Sequence, residues 1–171
     1  VYLGRHTRLH KLVVLKADKR SLSTKEESLR REVDMLKNLR QTYIPQVYDF
    51  VQQDGVVYTV MDYIEGESLD KILARGEKIS QPDIVKWSCQ LLEALDYLHH
   101  QGPHGILHGD IKPANIMLLP NGDICLIDFN IALALGEDGA VKVGFSRGYA
   151  SPEHYGAEYV QGGRMAGMCG G

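Results

Sequence analysis

Between residues 108 and 115 the chain brings together a carboxylate, an ammonium and an amide: Asp110, Lys112 and Asn115, preceded by His108-Gly109 and interrupted by Pro113. An apolar run from Ile116 to Leu119 follows. After a short Asn121-Gly122 turn comes a second run, Ile124 to Ile127, which ends in Asp128-Phe129-Asn130. Two short β-prone runs around an Asn-Gly turn predict a hairpin. Such a hairpin holds Asp110, Lys112 and Asn115 where its first strand begins and Asp128 where its second strand ends. Hard oxygen ligands of this kind suit magnesium carrying a polyphosphate, and a lysine suits a transferring phosphoryl group. Any one of the four residues, taken singly, reads as a polar turn residue. The set of four, in this order, carries the chemistry.

The stretch HGDIKPAN, residues 108–115, followed by IDFN, residues 127–130, resembles the catalytic loop and metal-binding segment of protein kinases, in the bacterial relatives of the eukaryotic serine/threonine enzymes. Other motifs follow the family's order. Leu12-Val13-Val14-Leu15-Lys16 resembles the V-A-I-K strand, Met61-Asp62-Tyr63-Ile64-Glu65-Gly66 the interlobe hinge, and Gly144 to Glu153 the activation segment with its A-P-E end. The resemblance covers residues 1–156. It implies an α+β, two-lobed fold: residues 1–63 as an N-lobe of antiparallel sheet plus one helix, without the glycine-rich loop, and residues 64–156 as a partial helical C-lobe. Residues 157–171, rich in glycine, are expected to be a disordered tail, and the chain to be a fragment cut at both ends.

By position in the family, Asp110 would hold the substrate hydroxyl and accept its proton, and Lys112 would meet the γ-phosphate. Asn115 and Asp128 would ligate Mg2+. Lys16 would contact the α- and β-phosphates of ATP, with Glu32 pairing to it. The backbone of Asp62 to Ile64 would bond the adenine edge, with Met61 at the back of the pocket and Val1, Val14 and Met117 sandwiching the ring. A lysine two residues after the catalytic aspartate is the serine/threonine pattern. The implied reaction is transfer of the ATP γ-phosphoryl group to protein hydroxyls. Two departures stand out. Gly109 replaces the arginine that binds a phosphorylated activation segment, and Asn130 replaces the glycine of D-F-G.

The elements that must position these groups are readable in outline. Val1–Leu3 and Lys11–Lys16 predict a hairpin; Ile44–Val51 and Val56–Tyr63 predict two more strands around Gln52 to Gly55. The family pattern makes the first lobe a five-stranded sheet with one helix. Ser23 or Thr24 with Glu26 or Glu27 forms a capping box for a helix over 23–39, whose stripe is Leu29, Val33, Leu36 and Leu39, with Glu32 beside it. Ser68–Arg75 predicts a short helix. Gln81–Gln101 predicts a long one, with Pro82 near its start and Ile84, Trp87, Leu91, Leu95 and Leu98 as the face of a buried central helix.

Composition narrows the classes. The chain has 171 residues, a hydrophobic fraction of 44%, a charged fraction of 24% and a net charge of −3, an ordinary globular balance with no basic surplus for nucleic acid. Three cysteines without paired spacing argue against a disulfide framework and fit a reducing compartment. No apolar run reaches transmembrane length, so the expectation is a cytoplasmic protein, or the cytoplasmic domain of a longer membrane-anchored one. His99, His100, His104 and His108 invite a zinc reading, but Gly102, Pro103 and Gly105 break the helical spacing and no cysteine sits at ligand distance. His108 is instead expected to pack under the catalytic loop and bond its backbone.

Two rival functions fit parts of the pattern. His-Gly-Asp also occurs in small-molecule phosphotransferases of the aminoglycoside-kinase type; the discriminating features are Lys112 and the segment after Asp128, which those enzymes lack. A non-catalytic kinase-fold interaction module is opposed by the complete set Lys16, Glu32, Asp110, Asn115 and Asp128. In the activation segment Ser146 takes the place of a threonine that bridges the catalytic aspartate and lysine, and Ser146, Tyr149 and Ser151 are candidate phosphorylation sites.

Overall fold

The computed structural model describes residues 1–8, 10–18, 36–54, 56–102, 105–128, 148–149, 159–160 and 164–165, with the backbone alone at 18, 57, 159–160 and 164–165. The chain divides into two compact units, Val1–Glu65 and Gly66–Gly171.

The first unit is a four-stranded antiparallel sheet in the order β1-β2-β4-β3, built from β1 (Tyr2–His6), β2 (Lys11–Asp18), β3 (Val47–Gln53) and β4 (Val56–Asp62). The β1–β2 hairpin turns through His10 at φ 51°, and β3–β4 turns at Asp54, also at φ 51°, a left-handed conformation that aspartate tolerates better than most residues. Val13, Val47, Thr59 and Val60 turn inward from the strands. Leu36 and Leu39, at and just beyond a closing helical turn, are buried with them. The rest of the predicted 23–39 helix, Glu32 included, lies outside the described residues.

Two expectations are corrected here. The sheet has four strands among the described residues, not five. The strand expected from Ile44 begins at Val47: Pro45 has no N–H to give a ladder, and the pairing with β4 slips between Val47 and Asp49.

The second unit starts with β5 (Glu67–Ser68), which joins β6 (Ile116–Leu118) and β7 (Ile124–Leu126) in a small sheet ordered β5-β6-β7. Helix α1 (Leu69–Ala74) follows β5, and α2 (Gln81–His99) opens on a Ser80 cap whose hydroxyl accepts from the Asp83 N–H at 3.2 Å. The core holds Ile72, Ala94, Leu98, Ile106, Ile124 and Leu126. Of the predicted face of α2, Trp87, Leu91 and Leu95 are half-buried and Leu98 is buried, but Ile84 is 51% exposed; Gln90 and Ala94, beside that stripe, are buried as well. The stripe that packs therefore runs through a glutamine, because the partner surface is the polar turn of the hairpin. Beyond these, β8 (Tyr159–Val160) pairs antiparallel with β9 (Arg164–Met165). Among the described residues no helix is long and apolar enough to cross a membrane.

Candidate active site

The hairpin forms as its sequence implies, with Ile116 opposite Leu126, Met117 opposite Cys125 and Leu118 opposite Ile124. Its turn is built differently from a two-residue Asn-Gly corner. The Gly122 N–H bonds Leu119 O at 2.9 Å and the Leu119 N–H bonds Asp123 O at 2.9 Å, so Pro120 takes the first corner and Gly122 the left-handed position at φ 81°. Asn121 braces the turn by accepting from the Asp123 N–H at 3.0 Å and donating to Asp123 Oδ2 at 2.9 Å.

Helix α2 grips this turn. The buried Gln90 donates to Asp123 Oδ1 at 2.7 Å and accepts from the Ile124 N–H at 3.0 Å. Trp87 Nε1 and Lys86 Nζ both donate to Gly122 O, and Lys86 pairs with Asp123 at 2.9 Å. The Lys86 ammonium, with the bonds from Gln90 and Asn121, holds the Asp123 carboxyl below the usual range. Gln90 escaped the sequence reading. The available signal was its place in the series Trp87, Gln90, Ala94, Leu98, where a polar residue occupies a stripe position.

His108 joins the loop to the hairpin's far strand. It is 2% exposed; its Nδ1 accepts from the Asp110 N–H at 3.2 Å, and its Nε2 lies 3.0 Å from Ile127 O. An acceptor at Nδ1 requires the hydrogen on Nε2, which then donates to Ile127 O. The expected packing under the loop is thus observed. Gly109, where the family pattern has arginine, takes φ 74°, a region a side chain enters only with strain.

The loop brings three of the four predicted groups together. Lys112 Nζ lies 2.7 Å from Asp110 Oδ2, and Asn115 Nδ2 donates to Asp110 O at 2.7 Å and to Asp110 Oδ2 at 3.1 Å. Lys112 is extended ahead of Pro113, as a residue before proline prefers, and Pro113–Asn115 is a 3-10 turn closed by the Asn115 N–H on Lys112 O at 2.9 Å. The Ile127 N–H bonds Asn115 O at 2.9 Å, which sets Asp128 one residue beyond the Asn115 backbone. Asp128 stands at φ 66°, and a non-glycine residue in that region at a strand end is the kind of feature that accompanies function.

The donor set suits magnesium. With its Nδ2 turned to Asp110, Asn115 keeps the carbonyl Oδ1 as its acceptor end, and Asp128 adds a carboxylate. Among the described residues no three His, Cys, Asp or Glu side chains gather as a metal cage. Magnesium on a polyphosphate needs only one or two protein oxygens, since waters and phosphates complete its shell.

In the first unit Lys16 lies on β2 opposite Thr59, and Val14 lies opposite Met61. Val1 is exposed, Val14, Met61, Asp62 and Ile64 are half-buried, and Met117 is half-buried in the second unit. Glu32, Ser146, Ser151 and Glu153 fall outside the described residues; Tyr149 is exposed. The sequence reading also missed Lys11, Gln46 and Tyr48, which surround the Asp62 carboxylate at the end of β4.

The protein kinase domain family model matches residues 1–164. A probable serine/threonine-protein kinase of Streptomyces coelicolor is 34% identical over 94% of this chain and 25% of its own length. Serine/threonine-protein kinase 36 of Pongo abelii is 38% identical over 90% of this chain and 12% of its own length. The probable serine/threonine-protein kinase PknB of Bifidobacterium longum is 32% identical over 94% and 25%. The chain thus spans a quarter or less of these curated relatives. With the family model matching residues 1–164, and with Asp110, Lys112 and Asn115 joined in one loop whose Asn115 carbonyl accepts from the Ile127 N–H, the chain belongs to the protein kinase domain family.

Proposed function

We propose that this chain is the nucleotide-binding and catalytic-loop portion of a serine/threonine protein kinase, with the unit Val1–Glu65 as N-lobe and the following unit as part of the C-lobe. The single observation that carries the reading is the Asp110 carboxylate held by the Lys112 ammonium and the Asn115 amide in one loop. Asp110 orients the serine or threonine hydroxyl and accepts its proton. The hydroxyl oxygen bonds the γ-phosphorus, the bond to the bridging oxygen breaks, and ADP leaves with that electron pair. Lys112 balances negative charge on the transferring group, which is most of what this reaction asks of a protein. Asn115 Oδ1 and the Asp128 carboxylate would hold Mg2+. Magnesium, when bound, neutralises charge on the β- and γ-phosphoryl oxygens. By the family pattern Lys16 would hold the α- and β-phosphates, with Glu32 as its partner. By the family pattern the backbone of Asp62 to Ile64 would meet the adenine edge, with Met61 behind it and Val1, Val14 and Met117 assigned to the ring faces.

Transfer from γ-labelled ATP tests this. The full-length protein with Mg2+ should label serine or threonine in a generic basic protein and leave kanamycin unlabelled. Labelled kanamycin with unlabelled protein would install the aminoglycoside-type alternative.

A further inference from the structure

Strand β4 ends in Asp62, and that residue is held from both its backbone and its side chain. Its N–H donates to Gln46 O at 2.9 Å, and the Gln46 N–H returns a bond to Asp62 Oδ2 at 3.0 Å. The Tyr48 hydroxyl donates to Oδ1 at 2.6 Å, and Lys11 Nζ reaches the same oxygen at 2.9 Å. Lys11 also bonds the phenol oxygen and stands 4.3 Å from the centre of that ring, so one ammonium ties the tyrosine and the aspartate together. These partners come from the start of β2, from β3 and from the chain just before it. The β2–β4 ladder stops at the pair Val13–Asp62. Residues 63–65 follow directly and belong to no strand.

Apolar side chains replacing the whole set of charged and polar groups could serve stability as well, so stability alone does not account for the cluster. What a directional four-way grip adds is a fixed orientation of the peptide that leaves the strand. We propose that Lys11 and Tyr48, acting through the Asp62 carboxylate, are positioning residues for adenine recognition: they set where the main chain of residues 62–64 stands. This rests on the kinase reading above, and it deepens it by naming residues that touch no part of the nucleotide.

The test compares the full-length wild type with Tyr48→Phe, Lys11→Met and Lys11→Arg. It reads KM for ATP, kcat, the Kd of ADP by calorimetry, and inhibition by inorganic tripolyphosphate, which has no adenine. Tyr48→Phe and Lys11→Met should raise KM for ATP and the Kd of ADP about threefold to tenfold, the ratio that one ordinary hydrogen bond sets, with kcat at saturating ATP within about twofold. Tripolyphosphate inhibition should be unchanged, and Lys11→Arg should behave as wild type. Unaltered KM and Kd in both variants, or equal weakening of ADP and tripolyphosphate, overturns the positioning role and leaves the kinase reading intact. A wild type that binds no ADP and transfers no phosphate overturns both.

Discussion

Asn115 Nδ2 donates to two atoms of Asp110 at once, the main-chain oxygen at 2.7 Å and Oδ2 at 3.1 Å. One amide therefore fixes both the backbone and the carboxylate of the proposed base, and the same geometry aims its own carbonyl oxygen away from Asp110. Asn115→Asp keeps the size and reverses the chemistry: two donated bonds vanish and a carboxylate faces a carboxylate. The variant should lose roughly 1–3 kcal/mol of stability at pH 7 and part of that loss should be recovered as pH falls below about 4, where protonation relieves the repulsion. Urea unfolding at the two pH values measures it; an equal loss at both would contradict the pairing.

The buried His108 bridges two part-buried backbone groups, the N–H of Asp110 and the carbonyl of Ile127. Phenylalanine fills much of the same volume and bonds neither. His108→Phe should lower the free energy of local opening of the hairpin by roughly 1–3 kcal/mol, the low end of the cost of two orphaned groups because both are only part-buried. Hydrogen exchange of the amides from Ile116 to Ile127 reads this directly. Wild-type protection in the variant would show that the ring only fills space.

The Asp62 carboxyl is governed by opposing effects. Burial pushes it up, but bonds from Tyr48, Lys11 and the Gln46 N–H outweigh burial and hold it below the usual carboxylate range. Tyr48 and Asp62 in turn keep the Lys11 ammonium charged to higher pH than usual. A carboxyl with a depressed folded-state pKa contributes stability above its unfolded value, about 3.9, and loses that contribution as pH falls through the folded value. Asp62→Asn should therefore cost roughly 1–3 kcal/mol at pH 7, and the gap to wild type should narrow below about pH 4. Urea midpoints at pH 7 and pH 3.5 test the sign; a gap that widens in acid would contradict it.

The catalytic loop and the hairpin strands were legible because the contacts that shape them locally are short-range in sequence, unlike the Gln90 bonds that hold the turn from α2. Asp110, Lys112 and Asn115 lie within one turn of chain, and Pro120, Asn121 and Gly122 dictate the corner, although through a proline-first turn that the Asn-Gly pair alone did not reveal. The grip on Asp62 was not legible. Tyr48 and Lys11 stand 14 and 51 positions away, and polar residues on strands read by default as a solvated face. The face of α2 was legible except at Ile84, which is exposed, and at Gln90, which was missed for a related reason. Periodicity shows that a stripe exists, but the polar turn that packs there chose Gln90 over Ile84. The Gly109 departure gained a local explanation only from its φ of 74°, which suits glycine.

The central claim is that Asp110 serves as the base for phosphoryl transfer to a protein hydroxyl, and one comparison tests it most directly. Full-length wild type and Asp110→Asn are given Mg-ATP and a basic protein substrate, with ADP affinity measured alongside. The account predicts a fall in kcat of about 10²-fold to 10⁴-fold, the usual contribution of a positioned base, with ADP bound as tightly as before. Equal phosphate incorporation by both proteins would contradict it.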